Sequence, residues 1–180
     1  MRVVSNPINS EAQVKHELEA LEVFNLKEIQ EHKEQVRSFW LDLVKPSEVM
    51  LSCFEKAFEE VMFGATIWAL NQDPNYPKVI TISRVPHEIN NQKIPGSRWG
   101  IDNPDSVYRV IPIGDSQSYV IRGKLGRQLF NENHFTLWDE NMKTIGLLSG
   151  NNIAVDTDGS FEIFVDPTSA KDKENHIQTS

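Results

Sequence analysis

The spacing of apolar residues changes once along the chain, close to residue 77. Before that point they recur every three or four positions, which is the spacing of one face of an α-helix. From residue 78 onward, short runs rich in β-branched residues alternate with polar ones, as in half-buried strands. A helical first part followed by a strand part predicts an α+β fold.

Three helices are predicted before the change of period. Ser10 is a suitable N-cap for the first, the second covers residues 26–44, and Ser47 caps a third that reaches about residue 70. Gly64 interrupts the apolar face of the third helix, and it predicts close approach of another backbone there. The second helix carries an apolar stripe of Ile29, Val36, Trp40 and Leu43, and the third carries Met50, Phe54, Ala57, Val61, Ala65 and Trp68.

Strands are predicted at residues 78–85, 107–113, 118–122 and 134–139, joined by turns too short for crossover helices. The sheet should therefore be antiparallel. An Asp-Gly pair at Asp158 and Gly159 predicts a hairpin between residues 152–156 and 161–166. The division is then a helical region at 1–75, an antiparallel β region at 76–167 and a flexible or truncated tail at 168–180.

Composition narrows the classes of partner. A net charge of −8 opposes the phosphate backbone, so nucleic acid is not expected as a partner. The single cysteine, Cys53, excludes an internal disulfide and favours a reducing compartment. With no secretory signal and no apolar segment of membrane-spanning length, we expect a cytoplasmic protein with no membrane partner.

One polar stretch, residues 96–109, departs from helix, strand and ordinary turn. It is interpreted as a small-molecule pocket, in which an aromatic wall and convergent polar groups hold a ligand. The alternative is a structural turn, because Asp and Asn side chains bind nearby backbone amides and Pro104 fixes the bend. The candidate ligand-binding residues are Trp99, Asp102, Asn103, Asp105, Tyr108 and Arg109.

Patterns for catalysis and metal binding are weaker. Asp102 and Asp105 could act as acid and base if their environments split their pKa values, and His134 is a candidate base that could meet them. The five histidines are scattered singly, so neither a metal nor a cofactor is expected. Residues 156–159 resemble the start of a calcium loop, but the glutamate at its twelfth position is missing.

The pattern Gly-x-Asp-Asn-Pro-Asp-x-x-Tyr-Arg at residues 100–109, with residues 119–123 and 158–162, resembles a family of uncharacterised bacterial proteins. These are relatives of the domain of unknown function twelve-fourteen. The resemblance covers the chain from about residue 96 and implies a β-sandwich or jelly-roll-like sheet behind helices. Proteins of this family are often longer, so the resemblance implies that this chain is either the front part of a longer protein or a short form of the family. It implies no chemistry for individual residues.

Three functions remain open from the sequence. The first is a module that binds a polar metabolite or carbohydrate at the polar stretch. The second is a hydrolase or lyase that uses the Asp102 and Asp105 pair or a His134 base. The third is a protein–protein interaction or oligomerisation module, in which the helical stripes cover a sheet edge or pair with a second copy.

Overall fold

The computed structural model describes residues 10–99, 103, 106–126, 132–171 and 173–179. Within these residues three helices come first and nine short strands follow, which confirms the predicted α+β class. The helices are α1 (Glu11–Phe24), α2 (Lys27–Val44) and α3 (Glu48–Ala69). The strands are β1 (Ile80–Thr81), β2 (His87–Ile89), β3 (Gln92–Ile94), β4 (Arg109–Val110), β5 (Tyr119–Lys124), β6 (His134–Trp138), β7 (Thr144–Ser149), β8 (Ser160–Asp166) and β9 (His176–Gln178).

Local capping chemistry starts two of the helices as predicted. The Ser10 hydroxyl accepts a hydrogen bond from the backbone N–H of Gln13 at 3.2 Å, and Ser47 accepts one from Met50 at 3.4 Å. α2 ends where Lys45 adopts a left-handed conformation with φ of 46°. All three predicted helices are confirmed.

The apolar faces of α2 and α3 form, but they are only partly covered. None of the residues of α2 is buried, and its Trp40 and Leu43 are 50% and 66% exposed. In α3, Met50 is 54% exposed, whereas Phe63 and Ile67 are fully buried. The apolar stripe predicted on α2 therefore faces solvent in the described part of the chain.

The strands form four small sheets. The pairs β1–β4, β2–β3, β5–β8 and β6–β7 are antiparallel, and β8–β9 is parallel. The prediction of an antiparallel sheet is thus wrong for β9, which belongs to a segment for which no strand was predicted.

In the described part of the chain, no helix has the length and apolar character needed to cross a membrane.

The end of the described chain corrects the prediction of a flexible tail. Residues 176–178 form β9, and His176, Ile177 and Thr179 are buried. The segment is polar, but two of its polar groups have partners: His176 Nε2 lies 3.0 Å from Asp166 Oδ1, and the Thr179 hydroxyl donates to the carbonyl of Asp115 at 2.6 Å, whereas His176 Nδ1 has none among the described residues. Satisfied polar groups can be buried without a large cost, which composition alone does not reveal.

The predicted hairpin is right in its turn and in β8, and wrong in its other arm. Gly159 has φ of 86° and donates to the carbonyl of Asp156 at 2.9 Å. Residues 152–156 contain no strand, and β8 pairs with β5 instead. The backbone N–H and C=O of Ala154 both bond to the side chain of Asn175 at 2.8 Å, so the groups that a hairpin ladder would use are occupied.

The chain divides into two compact units, Met1–Pro112 and Ile113–Ser180. The helices and β1 to β4 belong to the first unit, and β5 to β9 belong to the second. The change from helix to strand near residue 76 therefore lies inside the first unit. Each unit has its own apolar core.

The core of the first unit lies between α1, α3 and the short strands. Phe24 of α1 meets Phe63 of α3 edge to face, with ring centroids 5.5 Å apart. The buried residues of this core are Ala20, Leu21, Phe24, Phe63, Ile67, Ile80, Ile82, Ile89 and Ile94. In the second unit Ile163, Val165 and Ile177 are buried together.

Two buried amide side chains hold the chain around β1. The Gln13 side chain accepts from the backbone N–H of Thr81 and donates to its carbonyl, both at 2.9 Å. Asn71 does the same for Lys78, at 3.2 Å and 2.9 Å. These bonds imitate the ladder of a neighbouring strand and fix the start of the segment that lines the site described next.

Candidate functional site

A cleft of about 430 Å³ opens in the first unit. One wall is the chain that runs on from β1, residues 81–85, and another is formed by Ser97 and Arg98. Glu60 of α3 and the residues Ser106 and Val107 complete the lining. The cleft is therefore bordered on both sides by the ends of the polar stretch that the sequence singled out.

Close packing against α3 positions the wall that carries Ser97 and Arg98. A Cβ placed on Gly64 would lie 3.1 Å from the carbonyl oxygen of Arg98, so a side chain here would require this backbone to shift by a few tenths of an ångström. The backbone N–H of Arg98 donates to the carbonyl of Glu60 at 3.0 Å, and that of Ser97 donates to Ser83 at 2.8 Å. The predicted close approach of another backbone at Gly64 is confirmed.

An ion pair lies at the α3 side of the cleft. The Nε and Nη2 of Arg98 both donate to Oε2 of Glu60, at 2.8 Å and 2.6 Å. Glu60 is only 5% exposed, and Lys56 Nζ lies 4.0 Å from its other oxygen. A buried carboxylate needs such partners, because leaving it unpaired would be strongly unfavourable. The pair holds the Arg98 guanidinium at the cleft.

The hydroxyl of Ser97 is the unsatisfied group of the cleft. Ser97 is 1% exposed, and its Oγ has no hydrogen-bond partner among the described residues. Buried hydroxyls in native proteins nearly always have a partner, since an unmade bond costs the full desolvation of the group. Among the described residues that line the cleft, Ser97 is therefore the one whose buried side chain has an unmade hydrogen bond.

Arg84 organises the opposite side of the cleft. Its guanidinium donates through Nη1 to the carbonyl of Asn103 and through Nη2 to the carbonyl of Ser106. It also lies over the ring of Tyr108, 5.5 Å from the centroid. One side chain thus ties together the described parts of the polar stretch beyond Trp99.

The structure places the predicted ligand-binding residues unequally. Trp99 packs edge-on against Trp68 of α3, with ring centroids 3.7 Å apart. Asn103 and Tyr108 meet at Arg84, as described above, whereas Arg109 is exposed in β4. Asp102 and Asp105 lie outside the described residues, so the pairing predicted between them stays a prediction.

Glu60, Arg84, Ser97 and Arg98 were not singled out from the sequence. A signal existed for Glu60, because it lies four residues before Gly64 and therefore on the same, partly buried face of α3. A charged residue on an apolar helix face predicts a buried partner. No signal in the sequence indicated that the Ser97 hydroxyl lacks a hydrogen-bond partner among the described residues, because this depends on which polar groups the fold brings near it.

His134 lies in β6 of the second unit, where it is exposed with its Nε2 3.8 Å from a carboxylate oxygen of Glu132. Its predicted meeting with Asp102 or Asp105 involves residues that the structure does not describe. Among the described residues, no group of three or more His, Cys, Asp or Glu side chains could hold a metal ion.

The Asp-Gly turn resembling a calcium loop is explained by its own hydrogen bonds. Ser160 and then Lys124 donate to the carboxylate of Asp158 and hold its pKa well below the usual range. Ser160 also donates to Asp156 at 3.3 Å. These carboxylates therefore serve the turn.

The fold and the cleft define an α+β protein with a polar, partly buried site in its helical unit. Comparison with protein-family models, with curated proteins and with solved structures gave no match.

Proposed function

We propose that the first unit is a binding module for a small polar molecule held in the cleft. The observation that carries the proposal is the buried hydroxyl of Ser97, a residue of the cleft lining, which has no partner among the described residues. A hydroxyl or carbonyl of a ligand would supply that partner. The cleft volume of about 430 Å³ is typical of small-molecule sites.

The lining favours a ligand that carries both donors and acceptors. Arg98 offers N–H groups, Glu60 offers carboxylate oxygens, and the Ser97 hydroxyl can do either. The opposite charges of Glu60 and Arg98 compensate each other, so this pair does not select for a strongly charged molecule. A monosaccharide or a similar polyhydroxyl metabolite matches this mixture of groups best.

The residues of the polar stretch belong to the same proposal. Asn103 and Tyr108 contact Arg84, which lines the cleft, whereas Asp102 and Asp105 lie outside the described residues and stay predicted members of the site. The hydrolase or lyase alternative depends on Asp102, Asp105 or His134, and it stays a prediction.

A thermal-shift screen with monosaccharides, polyols, amino acids and small carboxylic acids tests the proposal. A compound that binds only the folded state raises the melting temperature. We expect a sugar or polyol to do so, and Ser97→Ala to abolish the shift. Without ligand, Ser97→Ala should keep or raise the melting temperature, because it removes an unsatisfied buried hydroxyl.

Matched variants separate the cleft from the surface. Ser38→Ala changes an exposed serine of α2, and Glu162→Gln breaks an exposed ion pair with Arg122, as Glu60→Gln breaks the pair with Arg98. The two surface variants should leave the ligand-induced shift unchanged. A shift that survives in both Ser97→Ala and Glu60→Gln would place the binding site elsewhere, and no shift with any compound would remove the basis of the proposal.

We also propose kinship with the family that residues 99–109 and 119–123 resemble, and a β-sandwich-like arrangement of the strands. The short antiparallel pairs support the second point. An experimental structure with two sheets packed about 10 Å apart is the expected result, and sheets with no such facing partner would contradict it. The single cysteine supports a cytoplasmic location.

A further inference from the structure

One face of α2 carries a regular row of side chains, all of them exposed except the partly covered Ile29. Ile29, His32, Val36, Phe39 and Leu43 follow one another at intervals of three and four residues, and we call them the α2 seam. Val36, Phe39 and Leu43 are 38%, 64% and 66% exposed. This spacing is that of the a and d positions of a heptad, which pack against the same positions of another helix.

The exposed apolar surface continues beyond the seam at one end of the α2–α3 hairpin. It consists of Val36, Phe39, Trp40, Leu43, Val44, Val49, Met50 and Leu51. Since a fully exposed large side chain presents roughly 150–250 Å², these residues leave on the order of 800 Å² uncovered. A standard protein interface takes about 800 Å² from each partner. Val36, Phe39 and Leu43 of the seam supply less than half of this area, so a dimer of standard size must also cover Trp40, Val44 and the start of α3.

The charges around the seam argue against a lipid surface as its partner. From Lys27 to Ala69 there are eight acidic and five basic side chains. Asp42 and Glu48 lie beside the most exposed apolar residues. Helices that bind membranes are rich in Lys and Arg on the polar face and are attracted to anionic lipids. An acidic hairpin has the opposite character.

The seam is complementary to itself. In a parallel pair of helices, the g position of one faces the following e position of the other, and these are Glu28 and Lys33. Glu28 and Lys33 carry opposite charges, and the two-fold symmetry of such a dimer would repeat this pair on its other side. β-Branched residues at a positions favour two-stranded pairing, and Ile29 and Val36 occupy two of them.

We propose that the α2 seam binds the same seam of a second copy of this chain in parallel orientation, giving a homodimer. Each copy contributes the same surface, as a two-fold contact requires. Lys33, whose Nζ lies 4.9 Å from the Phe24 ring centroid in the single chain, is then shared between that ring and Glu28 of the second copy. The proposal is independent of the cleft, because no cleft residue belongs to the seam.

Analytical ultracentrifugation of the full chain tests the proposal. We expect twice the chain mass of 20.6 kDa for the native sequence and the single chain mass for Leu43→Glu. Leu147→Glu is the matched control, since Leu147 is 62% exposed in β7. Glu and Leu have similar helix propensity, so circular dichroism should show the same helix content in Leu43→Glu. A native chain of single mass, or a Leu43→Glu dimer, would overturn the proposal.

Disulfide trapping tests the orientation. In a Cys53→Ser background, Val36→Cys should form a covalent dimer on oxidation, because a parallel seam brings the two copies of an a position together. Ser38→Cys, on an exposed outer position of α2, should not. Failure of Val36→Cys to cross-link would overturn the parallel arrangement. Flotation with phosphatidylcholine and phosphatidylglycerol vesicles, if lost in Leu43→Glu, would assign the face to lipid and overturn the proposal.

Discussion

Replacing Gln13 by Met removes the bonds that tie α1 to β1 while changing the side-chain volume little. Gln13 is 2% exposed, and its amide bonds to both the N–H and the C=O of Thr81 at 2.9 Å. Its Nε2 also donates to Glu17 at 3.0 Å. The variant Gln13→Met therefore leaves one buried donor and one buried acceptor of the Thr81 backbone without partners.

The expected loss follows from these two groups. A buried polar group that loses its partner costs about 1–3 kcal/mol, so the pair costs roughly 2–6 kcal/mol. The Glu17 carboxylate is left out of this estimate because it keeps His87 as a partner at 3.0 Å. Domains of this kind unfold with about 5–15 kcal/mol in total, so the loss should be easy to measure.

Urea unfolding followed by tryptophan fluorescence gives the free energy of unfolding. The signal reports mainly on the first unit, which contains Trp40, Trp68 and Trp99. Gln92→Met, at an exposed position of β3, is the control and should change the free energy by less than about 0.5 kcal/mol. A Gln13→Met variant as stable as this control would mean that the Thr81 groups had found other partners and that the bonds of Gln13 contribute little to stability.

Three further changes test other parts of the account. Burial lowers the pKa of His16 from 6.5, so the unfolded chain binds the proton before the folded chain does as the pH falls. The free energy of unfolding therefore decreases below about pH 6.5. His16→Gln should flatten this decrease in urea titrations. Hydrogen bonds from Thr168 and then His176 lower the pKa of Asp166 from 3.8 to about 2. The stability that this carboxylate contributes is complete above pH 3.8 and is lost as the pH falls toward 2. Asp166→Asn should remove this step from the acid-unfolding curve. Gly64→Leu should cost about 1–3 kcal/mol in urea unfolding because a backbone oxygen blocks the side chain, whereas Ala65→Leu at the exposed neighbouring position should not.

The helices could be predicted because their signals are local. A capping serine, a repeat of three or four residues and a following proline all act within a few positions of one another, as at Ser47 and Pro46. Whether a helix face is covered depends on distant parts of the chain. The stripe on α2 was therefore recognised, but its exposure was not.

The strands were harder to predict than the helices, because the length of a strand depends on how many residues its partner strand can pair with. Residues 78–85 and 107–113 have β-branched composition throughout, yet β1 and β4 pair over only two residues each. The hairpin of β2 and β3 has a local signal that was overlooked: Asn90 and Asn91 adopt left-handed conformations, with φ of 50° and 62°. Adjacent asparagines tolerate this geometry better than most residues.

None of the six candidate ligand-binding residues is among the described residues that line the cleft. The polar stretch does border the cleft, because turn-forming residues mark where the chain leaves regular structure. The groups that define the cleft come from three separate segments, with Glu60 on α3, Arg84 after β1 and Ser97 near the start of the polar stretch. Contacts at such separations are set by packing, which no single stretch of sequence encodes.

The proposed binding of a small polar molecule in the cleft is tested most directly by an amide chemical-shift titration of the isotope-labelled full chain. The ligand is the sugar or polyol that gives the largest thermal shift. We expect the resonances of Ser83, Ser97 and Arg98 to move together and saturate. Changes confined to the second unit, or resonances of these three residues that stay fixed while others saturate, would contradict it.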